Sequence, residues 1–149
     1  MALEILFDNR DGKIYDISDM ATAVSWKTVR TGQPGSLDVS LVKHKDLRID
    51  PGAVIRVRDG SNNVFYGYVF TIEQSDDDEV SITAYDQIRY LLSKDTFIFA
   101  NATAGEIIRK VAGDFGLKVG NLAGTGYRIP TLVEDNQTGL DVICKALDL

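Results

Sequence analysis

Apolar and polar residues alternate along the first half of the chain with a period of two, which is typical of half-buried β-strands. The alternation is clearest over residues 3–7, 37–41 and 80–84. Beyond Thr103 the apolar positions recur at helical spacing instead, from Ile107 onward. The pattern therefore predicts a mainly β first part that is followed by an α+β part.

Turn-forming residues divide the first part into hairpins, because Gly, Pro, Asn and Asp favour the backbone angles that tight turns need. A further strand follows the acidic run Asp76–Glu79, which we interpret as a solvated hairpin loop. We predict an N-terminal antiparallel β-barrel of about seven strands over residues 1–92. Besides the loop Asp76–Glu79, three turns are predicted between strands, at residues 8–12, 33–35 and 60–63.

The predicted strand from Val64 to Glu73 is apolar on both of its faces. A strand of this kind is either central in a sheet or presents one face to a partner. Gly67, in its middle, indicates a bulge or a place where another backbone comes close. We predict that four aromatic side chains of this strand form a subunit interface: Phe65, Tyr66, Tyr68 and Phe70.

Capping signals place helices in the second part of the chain. Asp86 has the position of an N-cap for a short helix over residues 87–92. Thr103 and Glu106 have the spacing of a capping box, which predicts the start of a longer helix. Gly116 matches the glycine that commonly ends a helix.

A last helix is predicted to begin at Thr138 and to run to the end of the sequence. The segment Tyr127–Pro130 before it is predicted to be an edge strand or a loop, because proline cannot donate to a strand ladder. The sequence stops inside the last helix without a polar tail. We therefore expect residues 93–149 to be the start of a second α+β domain, truncated, in a natural chain that continues.

Charge and hydropathy argue against several classes of protein. The 16 basic and 22 acidic residues give a net charge of −6 and are interspersed, so no surface is predicted to bind nucleic acid stably. No apolar run has the length of a membrane span, and the first residues lack the features of a signal peptide. We expect a chain that is synthesised in the cytoplasm in soluble form, without membrane insertion.

Few residues could carry chemistry. The single histidine, His44, lies in a charged turn, and the single cysteine, Cys144, lies among apolar residues that predict a buried thiol. No glycine-rich phosphate loop, metal-ligand cluster or Ser/His/Asp set is present. We therefore predict no catalytic residue, no metal site and no cofactor, and a protein that is not an enzyme. Trp26 is expected to fill a core or an interface.

Three stretches of the sequence resemble a known family of tail proteins: Pro51–Gly60, Val64–Val69 and Ser81–Leu91. Together they look like the XkdQ/YqbQ-like tail proteins of PBSX-type prophages and related contractile bacteriocins. This group is similar to the late control protein D and baseplate hub families. The resemblance continues through the second half of the chain at residues 94–97, 103–117, 126–130 and 133–136.

The resemblance implies a structural role. In such hubs, barrel domains from three subunits close a ring at the distal end of the tail tube, above the central spike. This chain would then be an N-terminal fragment of a homotrimer whose partners are tail tube and spike proteins. The chain would be synthesised in the host bacterial cytoplasm. Its expected place is the tail baseplate of a virion, where the ring joins tube to spike and leaves a passage once the spike departs.

Two other functions are considered. Asp95-Thr96, followed by Ile107–Leu117, has the pattern of a LysM repeat, which would make the chain a peptidoglycan-binding, tail-associated module. That repeat needs a second helix directly after Gly120, where the sequence instead has the glycine-broken loop 121–126. A tail-associated cell-wall hydrolase would need an acid/base pair or a metal triad, and the sequence offers neither.

Overall fold

The structure is a computed structural model that describes residues 3–149. Contacts between residues divide it into two compact units, each with its own hydrophobic core. Unit 1 comprises the described residues up to Thr28 together with Pro34–Asp86. Unit 2 comprises Val29–Gln33 together with Gln87–Leu149.

Seven antiparallel strands form one sheet in unit 1, which confirms the mainly β prediction and the predicted number of strands. In chain order they are β1 (Leu3–Asp8), β2 (Ile14–Asp16), β3 (Ala21–Lys27), β4 (Ser36–Val42), β5 (Val54–Asp59), β6 (Asn62–Gln74) and β7 (Glu79–Tyr85). Across the sheet the order is β2-β1-β5-β6-β7-β4-β3. The predicted hairpins β1/β2, β3/β4 and β5/β6 are all present.

The sheet is not closed, so the prediction of a barrel was wrong. β2 and β3 lie at the two edges, and within residues 3–149 they do not pair with each other. Closing a barrel requires edge strands that can form a continuous ladder. β2 has only three residues, and the chain after it turns into a 3-10 helix at Ser18–Met20 instead of extending the strand.

One face of the sheet is buried and forms the core of unit 1. Alternate residues of the strands point into it, as their hydrophobic period predicted. The two edge strands β2 and β3 are the exceptions, because none of their residues is buried. Trp26 in β3 is 51% exposed and does not fill the core. The largest fully buried side chains include Ile5, Phe7, Leu37, Leu41, Ile55 and Ile82.

Two bulges interrupt the alternation along β6. The register shifts at Val64, between the pairs that β6 forms with β5, and again at Phe70, between the pairs that it forms with β7. A bulge adds one unpaired residue to a strand. As a result Val64 and Ile72, at the two ends, both pack against the core, while the residues between the bulges keep a strict alternation.

Unit 2 is built from two long strands and two helices. β8 (Lys94–Thr103) pairs with β9 (Arg128–Thr138) in an antiparallel ribbon. The helices are α1 (Ala104–Asp114) and α2 (Gly139–Asp148), and a 3-10 helix, Gln87–Leu92, precedes β8. Strands and helices share one core. No helix among the described residues has the length and apolar character needed to cross a membrane.

Hydrogen bonds confirm the predicted starts of both helices. The backbone nitrogen of Glu106 donates to Thr103 Oγ1 at 3.2 Å, and the backbone nitrogen of Thr103 donates to Glu106 Oε2 at 2.9 Å. At α2, the backbone nitrogen of Asp141 donates to Thr138 Oγ1 at 3.0 Å. These bonds satisfy backbone N–H groups that have no partner within a helix.

The end of α1 also follows the prediction. Gly116 has a φ of +70°, and the backbone nitrogen of Leu117 donates to the carbonyl oxygen of Ala112 at 2.8 Å, which together form a Schellman motif. Residues 118–127 then form neither helix nor strand, although a LysM repeat would need a helix there. Pro130 follows in β9, whose one strand partner in the described chain is β8, so this segment is an edge strand as predicted.

Candidate functional site

The outer face of β6 carries most of the aromatic residues for which an interface was predicted. Tyr66 is 40% exposed and Phe70 is 36% exposed, while Tyr68 is half-buried. Phe65 points the opposite way, into the core of unit 1, and is 5% exposed. The structure thus brings three of the four side chains to one surface, and a subunit contact through them stays a prediction.

Gly67 allows the inner face of β6 to pack tightly. A Cβ atom at this position would lie 2.7 Å from Cζ of Phe65 and would also meet the carbonyl oxygen of Tyr85 in β7. Real Cβ atoms do not come this close to other atoms. The predicted close approach of another backbone at Gly67 is therefore confirmed, and the glycine gives the Phe65 ring its place in the core.

Two arginines lie over the tyrosines of this outer face. The guanidinium carbon of Arg56 is 5.4 Å from the ring centre of Tyr66, and that of Arg10 is 5.2 Å from the ring centre of Tyr68. The two rings meet edge to face, with centres 6.2 Å apart. Each cation–π contact at such a site contributes about 0.5–1 kcal/mol. We call these four residues the arginine–tyrosine surface.

The electrostatics of this surface favour a neutral phenol. Burial is the main reason that the pKa of Tyr66 is raised, and the neighbouring Tyr68 raises it further, while the charges of Arg56 and Arg10 act in the opposite direction. The tyrosine therefore keeps its hydroxyl proton and can donate a hydrogen bond throughout the neutral pH range.

Backbone geometry explains how the arginines reach their positions. Arg56 lies directly opposite Tyr66 in the β5/β6 ladder. Arg10 lies in the β1–β2 turn with a φ of +62°, and its backbone nitrogen donates to Asp8 Oδ1 at 2.7 Å. Ile14, at the start of β2, is 68% exposed beside a shallow cavity of about 120 Å³ that Arg56 and Tyr66 also line.

The outer face changes character beyond the bulge at Phe70, where its side chains are mostly hydroxyls and carboxylates, with the exposed Val42 as an exception. Thr83 Oγ1 donates to Asp38 Oδ1 at 2.7 Å, and the hydroxyl oxygens of Ser40 and Ser81 are 3.4 Å apart. None of the residues of this region, which we call the polar half, is a lysine or an arginine. The polar half consists of Asp38, Ser40, Thr71, Glu73, Ser81 and Thr83.

Unit 2 has a shallow cavity of about 400 Å³ beside α2. Lys145 Nζ and Glu134 Oε1 form an ion pair at 2.5 Å at its wall. Cys144 also lines it and is half-buried, which corrects the prediction of a fully buried thiol: the buried position of this turn is taken by Ile143.

No set of three or more His, Cys, Asp or Glu side chains within residues 3–149 is placed to bind a metal ion. In the same part of the chain, no buried side-chain nitrogen or oxygen lacks a hydrogen-bond partner. The outer face of unit 1, with its exposed aromatic side chains and its two arginines, is the strongest candidate site, and these groups suit contact with another macromolecule.

Sequence reasoning missed the two arginines of this site. The alternation of Ile55 and Val57 around Arg56 did indicate that Arg56 points outward, but the facing Tyr66 depends on the strand register. No signal in the sequence could place Arg10, because its position depends on a left-handed backbone angle in a five-residue turn.

Comparisons with known proteins extend these observations. A family model described as YQBQ-like matches residues 24–149. Among curated proteins, XkdQ of the phage-like element PBSX from Bacillus subtilis (strain 168) is 33% identical over 134 residues, which cover 86% of this chain and 41% of that protein. The chain thus spans about two fifths of the length of this relative.

Solved structures share the fold. The 43 kDa tail protein of prophage MuSo2 from Shewanella oneidensis matches with a TM-score of 0.75 and 20% identity, over 99% of this chain and 50% of that chain. A tail protein from Neisseria meningitidis MC58 matches with a TM-score of 0.71 and 14% identity, over 99% of this chain and 45% of that chain. At these identities the likeness is one of fold.

Proposed function

This chain belongs to the YQBQ-like family, and from this premise we propose that it forms part of the baseplate hub of a phage or phage-like contractile tail. The observation that carries the proposal is the 33% identity to XkdQ over 86% of the chain, because XkdQ is named as a protein of a phage-like element. The fold that the chain shares with two tail proteins also supports a role in a tail.

In this role the full-length protein is a homotrimer, and its ring joins the tail tube to the central spike at the distal end of the virion tail. Its work is mechanical and involves no catalysis. The exposed aromatic side chains of β6 support a contact between subunits. Tyr66, Tyr68 and Phe70 would face the neighbouring subunit, while Phe65 packs in the core of its own subunit.

The polar half of the outer face is the part of unit 1 that we propose for the lining of the passage. Its hydroxyls and carboxylates offer no cation to DNA phosphates, so DNA would pass without being held. The hydrogen bonds between Thr83 and Asp38, and between Ser40 and Ser81, fix these side chains against one another. A wall that binds DNA only weakly suits its passage.

Electron microscopy of tail particles tests the hub role. An epitope tag on the full-length protein should label the distal end of each tail, and deletion of its gene should give tails without an attached spike. Label along the tube, or complete tails in the deletion strain, would contradict the proposal. A monomer that instead sediments with purified cell wall would favour the peptidoglycan-binding alternative.

A further inference from the structure

The contact that builds the ring can be assigned to particular residues, on the basis of the proposed hub function. We propose that the arginine–tyrosine surface of one copy of this chain binds the acidic hairpin tip, Asp76–Glu79, of a second copy. The partner is thus another subunit, and the chemistry of recognition is guanidinium to carboxylate.

The arginine–tyrosine surface is prepared to receive carboxylates. Arg10 and Arg56 are both exposed, and neither forms an ion pair with any residue of the described chain. Stacking on Tyr68 and Tyr66 restricts the two guanidinium groups. Their N–H donors have no carboxylate partner in the described chain and remain available, which suits bidentate binding of carboxylates.

The acidic tip supplies the complementary charge. All four residues of Asp76–Glu79 are exposed, and no cation of residues 3–149 forms an ion pair with any of them. The tip is also held in shape, because the backbone nitrogen of Ser75 donates to the carbonyl oxygen of Glu79 at 3.0 Å and that of Lys43 donates to the carbonyl oxygen of Asp78 at 2.7 Å. An ordered tip loses less entropy on binding than a mobile loop does.

The two surfaces cannot meet within one molecule. Tyr66 and Gln74 lie on the same strand, β6, and eight residues at about 3.3 Å each place them ~26 Å apart. The tip follows Gln74 and extends away from Tyr66. Only a second copy can bring the charges together, and it does so by joining two different patches.

Contacts between two different patches of identical subunits arrange them head to tail, and such an arrangement closes into a ring when the rotation permits. The charges also favour this arrangement over random contact. With a net charge of −6, two copies repel each other unless a cationic patch meets an acidic one. The arginine–tyrosine surface is such a patch.

Charge exchange in the full-length protein tests the contact. The surface variant carries Arg10→Glu and Arg56→Glu, the tip variant carries Asp76→Arg and Asp77→Arg, and the exchange variant carries all four. A matched control carries Lys94→Glu and Lys118→Glu at exposed positions of unit 2. Self-association is measured by sedimentation over a dilution series, and circular dichroism verifies that each variant is folded.

We expect the surface variant and the tip variant each to weaken self-association by about 30-fold or more. The exchange variant should recover most of that loss, and the control should stay within about threefold of the natural protein. Unchanged association of the two first variants, or an exchange variant no better than either of them, would overturn the proposal. If a reversed variant unfolds, Arg56→Gln and Asp77→Asn replace it, with losses of about fivefold expected.

The outcomes separate this contact from the hub function. If the protein is a trimer whose self-association none of these variants changes, the hub role stands and the proposed contact is refuted. A dimer that shows the predicted pattern of loss and recovery supports the contact and contradicts the three-subunit ring.

Discussion

Asp86 and Gly35 hold each other by two hydrogen bonds at the ends of β7 and β4. The backbone nitrogen of Asp86 donates to the carbonyl oxygen of Gly35 at 3.1 Å, and the backbone nitrogen of Gly35 donates to Asp86 Oδ2 at 3.0 Å. Gly35 is buried, and a Cβ atom at its position would lie 2.7 Å from that same carboxylate oxygen. The pair fastens two neighbouring strands where unit 1 ends.

Loss of this pair should destabilise unit 1. Asp86→Ala removes the carboxylate that accepts the hydrogen bond from the buried N–H of Gly35. We therefore expect the free energy of unfolding to fall by about 1–3 kcal/mol. Gly35→Ala should have a similar effect, because the added methyl group displaces the carboxylate. Asp86→Asn is the matched control, since its amide oxygen can still accept. Urea unfolding followed by the fluorescence of Trp26, in unit 1, measures the effect.

Gly67→Ala should destabilise unit 1 more than an alanine in an open part of the sheet. The new methyl group would meet both the Phe65 ring and the backbone carbonyl of Tyr85, so we expect a loss of about 1–3 kcal/mol. Adding Phe65→Leu should recover only part of it, because the carbonyl stays in place. Full recovery in the double variant would show that the ring alone requires the glycine.

Tyr66→Ser and Phe65→Ser should separate association from folding. Phe65 is in the core, and its truncation is expected to lower the free energy of unfolding by about 3–5 kcal/mol. Tyr66 is exposed, so Tyr66→Ser should leave the fold intact while it weakens self-association of the full-length protein. Light scattering and urea unfolding measure the two effects. Unchanged association of a folded Tyr66→Ser variant would contradict a subunit contact at this surface.

The capping box of α1 should make unit 2 sensitive to acid. The hydrogen bond from the backbone nitrogen of Thr103 lowers the pKa of Glu106, and the charge of Arg128 lowers it further, although burial acts in the opposite direction. The ionised form therefore stabilises the folded state above the ordinary pKa of a glutamate, and this contribution is lost as the pH falls through the lowered value. The natural chain should be more stable than Glu106→Gln near neutral pH.

The comparison of these two chains isolates the effect of Glu106 from that of other carboxylates. Urea unfolding followed by helical circular dichroism at about pH 7 and about pH 3 should show the difference in free energy of unfolding shrinking at the lower value. Thr103→Ala should lower the free energy of unfolding by about 1 kcal/mol at neutral pH. If the free energies of unfolding of the natural chain and of Glu106→Gln differed by the same amount at both pH values, a stabilising charge at the cap would be contradicted.

Cysteine labelling tests whether the polar half lines a passage. In a Cys144→Ser background, Ser81→Cys places the single thiol of this chain on the polar half, and Ser61→Cys places it on the β5–β6 turn as a control. In assembled hubs, Ser81→Cys should react with a small maleimide but not with one attached to a large polymer. The control should react with both. Equal reaction of both positions with the large reagent would contradict the proposed lining.

Local signals in the sequence predicted the features that depend on a few adjacent residues. Thr103 and Glu106 specify the start of α1, and Gly116 specifies its end, because each acts through hydrogen bonds within one helical turn. The hairpins of unit 1 followed from turn residues and alternation for the same reason. Three of the four aromatic residues for which an interface was predicted lie on the outer face of β6, and the interface itself stays a prediction.

Features that depend on pairing between distant residues could not be predicted. The open sheet results from the shortness of β2, which the alternation around Ile14 did not reveal. β9 continues to Thr138 because β8 pairs with it on both sides of a register shift between Asp95 and Phe97, although residues 134–137 are polar and have no strand pattern of their own. Asp86 has the sequence context of a helix cap, yet its carboxylate bonds Gly35, 51 residues earlier.

The bulge at Phe70 makes β6 tolerant of a change in length. Tyr68 points outward and Val69 inward, and beyond the bulge Thr71 points outward and Ile72 inward. Phe70 is thus one residue more than strict alternation needs. A chain without it would keep every later side chain of β6 on its present face, whereas one residue fewer elsewhere in a regular strand exchanges the two faces. Phe70 is therefore a position where the gene can lose a codon without exchanging the two faces of β6 beyond it.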